Sequence, residues 1–138
     1  SVVNVRGYDG LMDLNDYSQE SKTFNGEKFE FEKGERGDGK AHHKTKVEKL
    51  MVKIAGKEVV VFNIDSLARQ LLLQNEQKSF KKTGHETFSV PSALLQMKQE
   101  TPKYNFTFVL SGLNGNYQKD KRTFNWLNFN GYLLIKKN

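Results

Sequence analysis

Cysteine is absent from the 138 residues, which excludes disulfides, thiolate metal sites and a cysteine nucleophile and leaves the redox compartment open. No apolar run approaches the roughly 18 residues that a membrane span requires. Histidine is scarce: His42 and His43 are adjacent in a glycine-rich stretch and His85 lies in another polar one. Adjacent side chains diverge along an extended chain, so the pair chelates poorly without a third ligand. There is no His-Glu-x-x-His and no Gly-x-Ser-x-Gly, and Ser111 has no histidine near it in sequence. Gly34, Gly37, Gly39 and Lys40 match neither phosphate-loop spacing. Asp9, Asp13 and Asp16 miss the spacing of a calcium loop, and Glu30 and Glu32 read as a solvated strand face. No metal, no cofactor and no catalytic residue is expected from these patterns.

Aromatic and basic side chains are what the chain has in quantity. Ten Phe and five Tyr exceed what a disordered segment carries, so a packed core is expected. The length suits one domain spanning 1–138. The net charge of +6 is unevenly spread: residues 1–39 hold five basic and nine acidic residues, and the remainder holds 17 basic and seven acidic ones. Such asymmetry suits a polyanion-binding body, or an acidic N-terminal part that folds back on a basic one. Lysines also keep exposed strand edges from pairing with other chains. The first residue is Ser1 rather than methionine. That fits either a removed leader or a trimmed domain, and tips the expectation slightly towards an extracytoplasmic place (secreted, periplasmic or lipid-anchored) over a cytoplasmic one.

Local patterns predict a β-rich α+β fold: a small antiparallel sheet, sandwich or partly open barrel of six to seven strands, with one or two short helices. Val2, Val3 and Val5 suggest an opening strand, and Leu11, Leu14 and Tyr17 fall at helical spacing within 11–19. Phe29 and Phe31 alternate with charged residues in a strand with one wet face. Residues 33–46 carry three glycines and almost nothing apolar, and read as a flexible loop. Leu50, Val52 and Ile54, a turn at Gly56-Lys57, and the apolar run Val59 to Ile64 predict a hairpin whose second strand is central and covered on both faces. Asp65 or Ser66 caps a helix over 66–76, and residues 77–87 read as a loop. A second helical turn is expected from Val90-Pro91-Ser92 through Leu94, Leu95 and Met97, ended by Pro102. Tyr104 to Leu110 alternates as a strand, Ser111-Gly112 and Asn114-Gly115 are turn or bulge signals, and two further strands flank a hairpin turn at Asn130-Gly131.

Function follows less directly. Tyr104, Phe106, Phe108, Phe124, Trp126, Phe129 and Tyr132 crowd the C-terminal segment, interleaved with lysines. An aromatic sheet face rimmed by lysines holds single-stranded nucleic acid by stacking and phosphate attraction. The simpler reading makes Phe106, Phe108, Phe124 and Trp126 the core and the lysines its solvated rim, and the few aliphatics in that segment favour it; Val61 is expected in the core as well. A barrel holding an apolar ligand is a further option, weaker because the chain is short for such a cup. Arg36-Gly37-Asp38 is an integrin-ligand tripeptide, and Asn105-Phe106-Thr107 a formal glycosylation sequon; three residues recur by chance. The reading that weighs most is a non-catalytic binding or accessory domain, exported or at the cell envelope, with an unidentified protein or polyanionic partner. The alternatives are a nucleic-acid or polyanion binder and a small inhibitor or immunity-type protein. The contact residues named for it are Lys103, Lys119, Lys121, Arg122 and Trp126.

Overall fold

A computed structural model of the chain describes residues 6–15, 19–36, 46–75, 81–82, 87–90, 95–118 and 121–138. The fold is β-rich α+β, a mixed sheet that does not close into a barrel. Its strands are β1 (Gly10–Asp13), β2 (Gln19–Phe24), β3 (Glu27–Arg36), β4 (Lys46–Ile54), β5 (Lys57–Asn63), β6 (Lys81–Lys82), β7 (Thr87–Val90), β8 (Leu95–Glu100), β9 (Tyr104–Gln118) and β10 (Thr123–Lys137). The helix α1 (Ile64–Asn75) sits between β5 and β6 in the chain.

Strands β9 and β10 form one antiparallel hairpin of 15 residues on each side, and it is the spine of the molecule. The sequence predicted two strands around Asn130-Gly131; the structure corrects this to a single strand. Alternation of inward residues continues through the Asn-Gly pair, and the register merely shifts there opposite Ser111. Gly131 is needed because a Cβ on it would stand 2.5 Å from the Val109 carbonyl oxygen and 3.0 Å from the Phe108 ring. The chain reverses instead between Gln118 and Thr123, where Arg122 takes a φ of 51°.

The shift at Ser111 divides the spine in two. The near half, around Tyr104–Leu110 and Gly131–Lys137, is flanked by β8 on one side and β1 on the other. The far half, around Leu113–Gln118 and Thr123–Phe129, is flanked by β7, with β4 joining in parallel where Leu127 meets Lys46. A second antiparallel run, β2-β3-β4-β5, lies across the near half. Phe29 meets Tyr104 and Phe106 at ring distances of 4.9 and 6.3 Å, and Phe62 meets Phe108 at 5.5 Å. One contiguous core results, drawing on both runs and on α1.

Two tight turns in the second run have positive φ at both central residues: Asn25-Gly26, and Ala55-Gly56. That is the turn geometry that matches strand twist. The predicted hairpin over 46–64 is present, but its second strand is not central. Among the described residues β5 pairs with β4 alone; Val60 and Phe62 point inward while Val59 and Val61 are half-buried. Its outer edge is met by the Gln99 side chain of β8, which donates to the Val61 carbonyl at 2.6 Å. The expectation of a buried Val61 is corrected accordingly.

Other expectations shift as well. Residues 33–36 belong to β3 and Lys46 opens β4, so only 37–45 of the predicted loop lie outside the described residues. Residues 10–13 form a strand rather than a helical turn, because Leu11 and Met12 alternate against β10. Leu95 and Met97 are in β8, not in a helix, and 91–94 lie outside the described residues. Lys81 and Lys82 pair with β7 where a loop was predicted. Among the described residues, ten strands therefore stand where six or seven were predicted. The helix begins two residues early, at Ile64, because Asn63 Oδ1 accepts from the Ser66 N–H at 2.8 Å and caps it in place of Asp65 or Ser66. The opening strand expected at Val2–Val5 lies outside the described residues. No helix among them is long and apolar enough to cross a membrane.

Candidate functional site

Alternation along the spine sends nearly every aromatic of the C-terminal segment inward. Tyr104, Phe106, Phe108, Phe124 and Phe129 are buried, whereas Tyr132 and Trp126 are half-buried. The structure thus does not assemble these rings into one open face. Nor does it assemble the basic residues chosen from the sequence. Lys103 precedes β9 at one end of the spine, while Lys121 and Arg122 occupy the turn at the other. About 50 Å of strand separates them, at roughly 3.3 Å for each residue of the 15-residue β9. Lys103 is engaged with Glu27 at 2.5 Å. Lys121 and Arg122 are exposed, and Lys119 lies outside the described residues. Of the candidates among the described residues, Lys121, Arg122 and Trp126 share an end of the molecule.

The Lys103 end is built as a clamp. Glu27 accepts from Lys103 Nζ through one oxygen and from Tyr104 Oη through the other, each at 2.5 Å. These two hydrogen bonds, the lysine's first, hold the Glu27 carboxyl below its usual range. The same carboxylate, with some burial, pushes the Tyr104 phenol up to about 12. Next to it Asp9 accepts the Lys137 N–H at 2.5 Å and is also lowered, by that backbone bond and by Asn25. The clamp ties β3 and the segment before β1 to the start of β9 and the end of β10, at the open end of the hairpin.

The other end differs on its two sides. The inward side of the far half carries Phe88, Val90, Leu113, Phe124, Leu127 and Phe129, all buried. Gly115 belongs to this side, where a Cβ would stand 2.9 Å from the Phe88 ring and 2.8 Å from the Trp126 carbonyl oxygen. Helix α1 approaches here. Asp65 bridges Lys46 of β4 at 3.2 Å and Arg69 at 2.5 Å. The Arg69 guanidinium then lies 5.5 Å from the Phe124 ring centre and 5.8 Å from that of Tyr117. Burial works against the charge on Asp65, but hydrogen bonds from Arg69 and Lys46 outweigh it and keep its carboxyl low.

The outward side is a grid of uncharged polar residues around the one tryptophan. Register places Thr87, Asn116 and Trp126 in one row across β7, β9 and β10, and Ser89, Asn114 and Asn128 in the next. Asn130 follows, opposite Gly112. A second register shift between Phe124 and Trp126 adds Asn125, whose Nδ2 donates to Asn116 Oδ1 at 2.7 Å. Asn116 Nδ2 in turn donates to Thr87 Oγ1 at 3.0 Å. Asn114, Asn125, Asn128 and Asn130 are exposed. No side chain described on this side of β7, β9 and β10 between Thr87 and Asn130 is ionisable. Sequence reasoning picked Trp126 from this grid and missed the asparagines. Their signal was present, as Asn at every second position in 114–116 and 128–130, but the first run contains Asn114-Gly115 and the second leads into Asn130-Gly131, pairs that read as turns.

The remaining sequence candidates do not converge. His42, His43, His85, Asp16, Gly37 and Asp38 lie outside the described residues. Asp9 and Asp13 lie alongside opposite ends of the β1–β10 ladder, Asp13 accepting its own Asn15 N–H at 2.8 Å. No group of three His, Asp or Glu among the described residues is placed to hold a metal ion. Asn105 is half-buried in the ladder between Glu100 and Lys136. Comparisons with protein-family models, with curated proteins and with solved structures find no match to this chain.

Proposed function

We propose that the chain is a non-catalytic binding domain whose contact surface is the outward side of the far half of the spine, formed by β7, β9 and β10. One observation carries this reading. The surface exposes a row-by-row array of amides around Trp126, while its reverse side is sealed by apolar residues and α1. Exposed amides add little to stability, so their concentration on a single face is better accounted for by contact with something outside the chain. The hydrogen-bonded ladder beneath holds them in register, which lowers the entropy lost on binding.

A second reading has its own support. Lys121 and Arg122 are exposed at the turn that ends this same surface, near Trp126. A single strand of nucleic acid held there would stack a base on the indole and neutralise phosphate at the turn. Titration of Trp126 emission with oligo-dT at low and moderate salt separates the two. Under this second reading, replacing Lys121 and Arg122 together with alanine weakens binding and flattens its salt dependence by about one to two phosphate equivalents. An emission spectrum unmoved by oligo-dT removes it. The surface reading itself is tested by Trp126→Ala: it predicts loss of binding to whichever polymer the wild-type chain takes up, with the fold retained. Undiminished binding by a folded Trp126→Ala variant contradicts it.

A further inference from the structure

Resting on that surface reading, we infer that the ligand is a neutral polyhydroxylated polymer, a glycan chain without acidic groups. The argument is one of charge and hydrogen-bond complementarity. The protein carries a net charge of +6, yet the described side chains of this surface from Thr87 to Asn130 carry none. A surface selected for phosphate, sulfate or carboxylate would place cations among its contacts, because an anion transferred out of water needs a partner. Within these rows of β7, β9 and β10 the described contact candidates are amides, hydroxyls and the indole; the cationic residues stand at the margins, Lys121 and Arg122 at the turn and Lys81 in β6 beside Ser89.

A primary amide offers donors and an acceptor side by side. That pair matches two neighbouring sugar hydroxyls, each of which both donates and accepts. Asn114 and Asn128 face each other across β9 and β10, and Asn116, Asn125 and Thr87 are linked by hydrogen bonds into a chain. The linkage orients Asn116 and Asn125 before any ligand arrives, which limits the ordering cost. Trp126 supplies the apolar partner in the same rows. Its indole is broad and half-buried, and can pack against the C–H face of a pyranose ring. The surface is a sheet rather than a cup, which suits an extended chain of sugars lying across strands spaced about 4.8 Å apart.

The test uses the whole 138-residue chain. Calorimetric and Trp126 fluorescence titrations are made with soluble laminarin, xyloglucan and dextran, and with heparin and oligo-dT as charged polymers, each at low and high salt. The expected result is saturable binding of at least one neutral polymer, with a shift in Trp126 emission and an affinity that salt leaves unchanged. By calorimetry, Trp126→Ala abolishes it and Trp126→Phe partly restores it. The paired change Asn114→Ala with Asn128→Ala weakens it roughly tenfold or more, as expected for two lost hydrogen bonds, and leaves the circular dichroism and melting curve unchanged. Salt-sensitive binding of oligo-dT or heparin alone, lost in Trp126→Ala, overturns the glycan inference and leaves the surface reading standing. Concentration-dependent dimerisation abolished by the paired asparagine change also overturns it, because the surface then contacts a second copy. Neutral-polymer binding that Trp126→Ala does not alter overturns both. So does a panel in which no polymer binds and the chain stays monomeric.

Discussion

The two halves of the β9–β10 spine have similar inward sides and dissimilar outward ones. Inward, both are lined by buried aromatic and aliphatic residues, Phe106, Phe108, Leu133 and Ile135 in the near half and Phe88, Phe124, Leu127 and Phe129 in the far half. On the opposite side, the near half pairs Thr107 with Leu134, both buried, and Val109 with Tyr132, both half-buried, bounded by Lys98 and Glu100 of β8 and by Asp13 of β1. The far half has asparagines, a serine, a threonine and Trp126 at the equivalent positions. Shared inward chemistry is what burial demands of any sheet covered on one side. Outward, burial accounts for the apolar Leu134 of the near half, whereas nothing in the packing calls for the exposed asparagines of the far half.

The largest effect expected from testing this contrast is in the core that both halves share. Phe108 lies between Phe62 and Phe129, at ring distances of 5.5 and 5.4 Å. Phe108→Ala should cost about 3–5 kcal/mol in urea unfolding; a cost below about 1 kcal/mol would place that ring outside the core. Next comes the pinch that lets the far half pack. Gly115→Ala puts a methyl group against the Phe88 ring and the Trp126 carbonyl, and should cost about 2 kcal/mol or more. A neutral result would mean that β7 does not lie where described.

Smaller effects separate the clamp at the near end from the surface at the far end. The Glu27 carboxyl is lowered in the fold, so its contribution is present above its unfolded value of about 4.5 and lost as pH falls below it. The Tyr104 phenol is raised to about 12, so its contribution is intact below its unfolded value of 10.0 and lost as pH climbs towards 12. A melting-temperature profile should therefore sag at both extremes, and Glu27→Gln should flatten both flanks. A profile identical to wild type would break the link between Glu27 and Tyr104. Arg69→Ala should cost about 1 kcal/mol, through lost contact with the Phe124 and Tyr117 rings and a partly exposed ion pair; a change within measurement error would detach α1 from the far half. Asn114→Ala and Asn128→Ala should each alter stability by less than about 0.5 kcal/mol. A large cost there would make the amides structural and remove the contrast between the two outward sides.

Much of this fold is legible in the sequence because one-sided burial writes a period of two. Phe29 and Phe31, Leu50 and Val52, and Phe106 and Phe108 announce their strands and their inward side without ambiguity. Helix α1 is equally plain from Leu67, Ala68 and Leu71. The failures share a cause: a local signal overruled by tertiary pairing. Asn130-Gly131 has the composition of a turn, but the β9 ladder on one side and β1 on the other carry the strand through it. Leu95 and Met97 are compatible with a helix until β9 offers them an edge. Asn25-Gly26 is a true two-residue turn, but its flanking residues Phe24 and Glu27 do little by themselves to announce the pairing of β2 with β3. Of the candidate surface only Trp126 was legible. The amides around it come together through cross-strand register, which no single-strand pattern contains.

The central claim is that the outward side of the far half is where this protein makes contact. Side-chain amide and indole N–H signals in a ¹H–¹⁵N spectrum report on it residue by residue, before and after addition of a polymer shown by calorimetry to bind. Shifts confined to the side chains of Asn114, Asn116, Asn125, Asn128 and Asn130 and to the Trp126 indole are the predicted result. Shifts centred instead on Lys103, Tyr132 or the β8 edge, with the asparagine signals unmoved, would contradict it.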